Sequence, residues 1–93
     1  VVEQPESVND PSFIERLRGE RAGLLVVADF GQILSPECLA SATRGAINVH
    51  ASLLPKYRGA APVAWAIFHE EKETGVSIIR MSPRLDAGGV ILQ

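Results

Sequence analysis

Two polar side chains at the end of an apolar segment are the first residues in this sequence that suggest chemistry. Asn48 and His50 follow Ala46 and Ile47, and residues two apart on a strand point to the same face. An amide N–H and an imidazole N–H on one face can donate hydrogen bonds to a developing oxyanion, and the imidazole can also move a proton near neutral pH. The alternative is that both are ordinary strand-end residues, either exposed or bonded within the protein, since burying them without partners is unfavourable.

A carboxylate later in the chain could complete such a site. Asp86 precedes Ala87, Gly88 and Gly89, small residues that let the backbone turn tightly or approach a ligand closely. A carboxylate beside an imidazole can orient the ring and stabilise its charged form. Asp86 could equally be a turn-forming aspartate in a surface loop, and the residue pattern alone leaves both interpretations open.

The pattern of apolar residues predicts the elements that must position these side chains. Asp10-Pro11 and Ser35-Pro36 each predict a helix start, because a capping side chain precedes a proline at the first helical position. We expect the first helix to end at Gly19 or Gly23 and the second at Gly45. Helical spacing of apolar residues predicts a third helix, which runs from residue 60 to near residue 70. Strands are predicted at 24–28, 46–50, 75–81 and 90–93, the first of them parallel and buried on both faces.

The predicted order of elements defines a fold class. Helix, strand, helix, strand, helix, strand, loop and strand is typical of an α/β fold with a largely parallel sheet, whose last strands could be antiparallel. In open α/β sheets, ligands bind beyond the carboxyl ends of the strands. Asp29-Phe30-Gly31, Asn48-Val49-His50 and the loop around Asp86 all follow such ends. The fold therefore favours one site that combines these three segments.

Composition narrows the classes of function. The net charge of −2 shows no basic excess that would indicate nucleic-acid binding. The one cysteine, Cys38, is expected to be an inert buried thiol. No apolar run approaches the roughly 18 residues of a membrane span, so a cytoplasmic protein is expected. No glycine-rich phosphate-binding motif is present. The chain lacks an initial Met and ends in a strand-like run, which predicts a fragment.

Two charged segments flank the third predicted helix. Lys56, Tyr57 and Arg58 could bind an anion, or they could form a solvated basic turn. The acidic run at 70–73 is expected to be solvated. The Leu54-Pro55 bond is a candidate for the cis isomer, which is rare outside X-Pro bonds.

Longer motifs around these residues resemble a known family. The run Asn48-Val49-His50-Ala51-Ser52-Leu53-Leu54-Pro55-Lys56-Tyr57-Arg58-Gly59, together with Leu85-Asp86-Ala87-Gly88, is similar to the formyltransferases that use 10-formyltetrahydrofolate. The similarity extends through Phe30-Gly31-Gln32-Ile33-Leu34 and Gly59-Ala60-Ala61-Pro62. The resemblance implies a Rossmann-like three-layer fold, of which residues 1–93 would be one fragment of the catalytic domain.

The resemblance also implies roles for individual residues. Asn48, His50 and Asp86 match the catalytic Asn, His and Asp of the family. The pocket for 10-formyltetrahydrofolate would involve Ser52, Leu53, Leu54, Pro55, Phe30 and Gly31. No metal is implied. Asp29 and Gly89 depart from the family pattern, which has a small residue at the first position and commonly Asp or Pro at the second.

The resemblance favours one acceptor of the formyl group and leaves alternatives open. The continuation from Arg58 to Pro62 favours methionyl-tRNA, so the expected function is formylation of initiator tRNA, with the tRNA contacted largely by regions outside this chain. The alternatives are a sugar-nucleotide amine or glycinamide ribonucleotide as acceptor, or a folate-binding or interaction fragment without catalysis. A truncated sheet would also favour association of the fragment through exposed apolar surface.

Overall fold

A four-stranded sheet organises the part of the chain that the computed structural model describes, residues 2–84 and 86–93. Val1, and Leu85 of the Leu85–Gly88 motif, lie outside the described residues. The strands follow the order β1-β2-β3-β4, namely Leu25–Ala28, Ala46–His50, Ser77–Arg80 and Val90–Leu92. β1 and β2 are parallel, whereas β3 runs antiparallel to both of its neighbours. The predicted α/β class and antiparallel last strands are confirmed, and parallel pairing within this sheet is between β1 and β2.

The first two helices begin where the sequence predicts, and the third begins two residues later than predicted. They are α1 (Pro11–Gly19), α2 (Pro36–Leu39) and α3 (Pro62–Phe68). The carboxylate of Asp10 accepts a 2.8 Å hydrogen bond from the Ser12 N–H, and the hydroxyl of Ser35 accepts one of 3.1 Å from the Cys38 N–H. Each cap satisfies a backbone donor that has no partner within its helix.

The prediction that α2 continues to Gly45 is wrong, because it ends at Leu39. Beyond it, the backbone makes isolated turn bonds, such as that from the Gly45 N–H to the Ala42 carbonyl at 3.1 Å, and bonds to residues at the start of β1 and before it. The Arg44 N–H donates to the Gly23 carbonyl at 2.8 Å, and Leu25 N–H donates to the carbonyl of Gly45 at 3.0 Å. These long-range bonds replace further helical turns.

A small apolar core covers one face of β1. Val8, Ile14, Leu34 and Cys38 form its centre, and Leu25 and Val27 of β1 pack against it. Val26 points to the other side and is 65% exposed. The prediction that this strand is buried on both faces is therefore wrong for the described residues, since the core cluster lies on one face. Burial raises the pKa of the Cys38 thiol, as expected for an unreactive cysteine.

The predicted third helix is present, but most of its apolar residues are exposed. Ala66 is buried, whereas Val63, Ile67 and Phe68 are exposed. Trp65 is about half exposed and packs edge-on against Phe68. Association of the chain through such apolar surface stays a prediction. Within the described residues, no helix has the length and apolarity needed to cross a membrane.

The turn before β4 passes very close to β3. The N–H of Arg80 donates to the Gly89 carbonyl at 3.0 Å, and a Cβ atom at Gly88 would overlap the carbonyl of Arg80. A glycine is therefore needed at position 88 so that this turn can approach the strand. The close approach places Asp86, two residues earlier, beside the end of β2.

We predict that Gly88→Ala destabilises the protein by about 1–3 kcal/mol, because the added methyl group must displace backbone of β3. The measurement is urea-induced unfolding of the intact protein. Gly89→Ala is the matched control, since a Cβ atom there meets no atom within 4 Å. Equal unfolding midpoints for the two variants would contradict this account of Gly88.

Candidate active site

Asn48, His50 and Asp86 converge at the carboxyl end of β2. The carboxylate Oδ1 of Asp86 lies 3.4 Å from Nδ2 of Asn48 and 3.8 Å from Nδ1 of His50. Its other oxygen, Oδ2, accepts a 2.7 Å hydrogen bond from the Gly59 N–H. The side chains of His50 and Asp86 are only 7% and 6% exposed. The structure thus brings the three predicted residues together, and their catalytic role stays a prediction.

The second ring nitrogen of His50 has a backbone partner. Nε2 lies 2.8 Å from the carbonyl oxygen of Tyr57. Because a carbonyl can only accept, Nε2 must carry a hydrogen, and in the neutral ring Nδ1 then has none. Nδ1 is the nitrogen that faces Asp86, at a distance longer than a direct hydrogen bond. A proton taken up from the site would therefore bind at Nδ1, next to the carboxylate.

Two aspartates, one directly after β1 and one in the turn before β4, have left-handed backbone conformations. Asp86 has φ 48° and Asp29 has φ 47°. Aspartate tolerates this region better than most residues other than glycine. The aspartate that departs from the family pattern at position 29 is thus compatible with the turn that β1 enters. Phe30 and Gly31, which follow it, are exposed at the end of the strand beside β2.

The segment after His50 divides into buried and exposed residues. Ser52 is fully buried, and its hydroxyl donates a 2.6 Å hydrogen bond to the Lys56 carbonyl. Its own carbonyl accepts a 2.7 Å bond from the hydroxyl of Ser77, which in turn accepts from the Leu54 N–H at 3.1 Å. Leu54 is buried, and the Leu54-Pro55 bond is cis. The buried residues Ser52 and Leu54 therefore stabilise the conformation of this loop.

Leu53 and Pro55 are the members of the predicted folate segment whose side chains face solvent. They line a cavity of about 680 Å³ together with Lys56, Tyr57 and residues 70–74. Asn48, His50 and Asp86 do not line this cavity. We place the site at the three converging side chains, because buried ionisable groups at strand ends are better evidence for chemistry than cavity size. Folate contacts at Phe30, Gly31, Ser52, Leu53, Leu54 and Pro55 stay a prediction.

Glu71 has a structural role that the sequence did not reveal. The prediction that it belongs to a solvated acidic run is wrong, since its side chain is only 24% exposed. It accepts a 2.7 Å hydrogen bond from the Tyr57 hydroxyl and bonds of 3.1 and 3.2 Å from Lys56 Nζ. The hydrogen bond from Tyr57, with the nearby Lys56, lowers the pKa of Glu71, and the same carboxylate raises the pKa of Tyr57. We call Lys56, Tyr57 and Glu71 the loop latch.

The donor set does not suggest a metal centre. Among residues 2–84 and 86–93, no three His, Cys, Asp or Glu side chains are grouped as metal ligands would be. An amide, an imidazole and a carboxylate around one point instead suit acyl transfer, in which negative charge and a proton must both be handled.

The fold is α/β, and an amide, an imidazole and a carboxylate converge at the end of β2. Residues 3–93 match the Formyl transferase family, and the chain belongs to that family. It is 56% identical over 90 residues to methionyl-tRNA formyltransferase from Rhodopirellula baltica, covering 97% of this chain and 27% of the relative. It is 52% identical over 92 residues to the same enzyme from Moorella thermoacetica, covering 99% and 30%. The chain thus spans less than a third of the length of these relatives.

Solved structures share the fold. Phosphoribosylglycinamide formyltransferase from Streptococcus pneumoniae superposes with a TM-score of 0.80 at 27% identity, covering 95% of this chain and 50% of that one. A sugar N-formyltransferase from Shewanella sp. superposes with a TM-score of 0.75 at 28% identity, covering 94% and 34%. The three-dimensional arrangement is therefore common to formyltransferases with different named acceptors.

We predict that the charge of Glu71 stabilises the protein only where that carboxylate is ionised. Because the folded-state pKa of Glu71 lies below its ordinary value of 4.5, this stabilisation is present above that value and is lost as the pH falls through the lowered pKa. Urea unfolding of the intact protein should show wild type more stable than Glu71→Gln near pH 7, with the difference vanishing in acid. Glu73→Gln, at an exposed position, serves as the control. A Glu71 difference that stays constant into acid would contradict the prediction.

Proposed function

We propose that the protein containing residues 1–93 transfers a formyl group from 10-formyltetrahydrofolate to the amino group of methionyl-tRNA, in the cytoplasm, for translation initiation. These residues would form a fragment of its catalytic domain. The convergence of Asn48, His50 and Asp86 at one buried point is the observation that supports formyl transfer. The choice of acceptor is supported by curated relatives named methionyl-tRNA formyltransferase that are 50–56% identical.

Formyl transfer to an amine makes two demands on a protein. Negative charge develops on the formyl oxygen when the amine attacks, and this charge needs preorganised hydrogen-bond donors. One proton must also leave the attacking nitrogen, and one must reach the nitrogen that departs with tetrahydrofolate. The formyl donor supplies the one-carbon group, and the protein supplies donors, proton carriers and orientation.

Asn48 and His50 meet the first demand. The amide of Asn48 has two N–H hydrogens, one of which is directed to Asp86 at a long 3.4 Å, so the other can donate to the formyl oxygen. The Tyr57 carbonyl engages Nε2 of His50. His50 therefore contributes to the developing charge after Nδ1 has taken up a proton from the site, which makes the ring cationic.

Asp86 meets the second demand. Its carboxylate faces Nδ1 of His50 and stabilises that ring when it is protonated. The hydrogen bond from the Gly59 N–H fixes one oxygen, so the orientation of the carboxylate is set before substrate binds. Asp86 can then accept the proton that leaves the attacking amine, while the protonated His50 gives its Nδ1 proton to the nitrogen that departs with tetrahydrofolate.

The exposed residues of the predicted folate segments fit the expected contact. Phe30 is 47% and Leu53 37% exposed, and Pro55 is exposed as well. Apolar side chains with nearby polar groups are the usual lining for a flat heterocyclic ligand. These residues would hold the formyl donor, while the buried Ser52 and Leu54 keep their loop in shape.

We predict that Asp86→Asn lowers the rate of methionyl-tRNA formylation by the intact protein about 10²–10⁴-fold, the range that a positioned proton-transfer group contributes. The substitution keeps the size but removes the charge beside His50 and replaces one acceptor oxygen by an NH2 donor. The assay is single-turnover transfer of labelled formyl from 10-formyltetrahydrofolate. Asp10→Asn is the matched control, because asparagine caps a helix as well as aspartate.

Three results would overturn parts of this proposal. A near-normal rate for Asp86→Asn would remove Asp86 from the mechanism. Wild-type transfer to glycinamide ribonucleotide or to a sugar-nucleotide amine, but not to methionyl-tRNA, would correct the acceptor. Folate binding by calorimetry without transfer to any of the three would indicate a binding protein.

A further inference from the structure

The Tyr57 carbonyl that bonds to His50 is presented by an unusual backbone conformation. Tyr57 has φ 57°, in the left-handed region that bulky residues rarely adopt. Residues in such regions cost roughly 1–3 kcal/mol and persist where the surroundings hold them in place. The surroundings of Tyr57 must therefore supply the constraint that aims its carbonyl at Nε2.

The side chain of Tyr57 provides that constraint. Its hydroxyl donates to Glu71 at 2.7 Å, and its ring stacks on that of His69, with centroids 5.7 Å apart. Lys56, the preceding residue, is tied to the same carboxylate, and its carbonyl accepts from the buried Ser52 hydroxyl. The loop latch thus fixes the chain immediately before the peptide group that carries the Tyr57 carbonyl, and the Gly59 N–H, bonded to Asp86, fixes it shortly after.

This carbonyl competes with Asp86 for the single proton of the neutral His50 ring. At 2.8 Å the Tyr57 oxygen makes a full hydrogen bond to Nε2, whereas Asp86 Oδ1 is 3.8 Å from Nδ1. The shorter contact places the hydrogen on Nε2. Without the carbonyl, the nearby carboxylate would draw the hydrogen to Nδ1, and the nitrogen that faces the site could no longer take up a proton.

We propose that Glu71 and Tyr57 are positioning residues, which hold the Tyr57 carbonyl against Nε2 and so keep Nδ1 of His50 free of a proton in the neutral ring. They act on His50 from outside the group of reacting side chains. The effect on rate rests on the proposed formyl transfer, whereas the effect on the histidine tautomer does not.

The test is nitrogen NMR of the intact protein labelled with ¹⁵N-histidine, which distinguishes the two neutral tautomers of His50. We expect the Nε2–H form in wild type and a shift toward Nδ1–H in Glu71→Ala and in Tyr57→Phe. Glu71→Gln should lie closer to wild type, because its amide oxygen can still accept from the Tyr57 hydroxyl. Glu73→Gln, on an exposed residue, is the control and should leave the tautomer unchanged.

The same variants are assayed for methionyl-tRNA formylation. We expect Glu71→Ala to lower kcat on the order of tenfold, a part of what a proton-transfer group contributes, with KM for the tRNA unchanged. In Glu71→Gln, kcat should recover in part, in proportion to the fraction of His50 that remains in the Nε2–H form.

An Nδ1–H form in wild type would overturn the proposal. So would an Nε2–H form that survives in both Glu71→Ala and Tyr57→Phe, or a tautomer shift that leaves kcat unchanged. If Glu71→Ala does not fold, the tautomer measured in Tyr57→Phe, which removes one hydroxyl group, decides whether the proposal holds. If the intact protein formylates none of the acceptors, the proposed function fails, and the NMR result alone still decides whether the loop latch sets the tautomer.

Discussion

The buried carboxylate of Asp86 is the group on which the arrangement of the site depends. A carboxylate that is only 6% exposed is tolerated where donors surround it. Here the donors come from separate parts of the chain: the Gly59 N–H from the loop after β2, and the amide of Asn48 from β2 itself. Asp86 lies in the turn before β4, so its hydrogen bonds join that turn to the strand and the loop. The requirement to satisfy one buried charge thus assembles the three segments that carry the proposed chemistry.

The rest of the structure keeps those segments in place. Gly88 lets the turn that carries Asp86 pass close to β3. Ser77 lies opposite His50 in the pairing of β2 with β3, and its hydroxyl binds backbone of the loop that follows His50. At the far end of that loop, the contact between Tyr57 and Glu71 connects it to the segment after α3. Gly88 and Ser77 act on backbone, whereas the bond between Tyr57 and Glu71 joins two side chains, so residues outside the proposed catalytic group support its geometry in both ways.

Features encoded by neighbouring residues could be predicted from the sequence. The Asp10-Pro11 and Ser35-Pro36 helix starts depend on local capping, and the shared face of Asn48 and His50 depends on strand periodicity. Contacts between distant residues could not be predicted in this way. Glu71 reaches Tyr57 across 14 positions, and a run of acidic residues carries no sign of that bond. The end of α2 was missed for the same reason, because bonds to the segment before β1 replace its next turns. The residue pattern alone also left the role of Asp86 open, and its proposed catalytic role comes from the family resemblance.

The central claim is that Asn48, His50 and Asp86 act as one unit, and a double-mutant cycle tests it most directly. Asn48→Ala, Asp86→Asn and the double variant of the intact protein would be compared by single-turnover formylation of methionyl-tRNA. Residues that act together in one step have strongly non-additive effects. The account predicts that the double variant is only slightly slower than the slower single variant. Losses that multiply, so that each substitution has the same effect with or without the other, would contradict it.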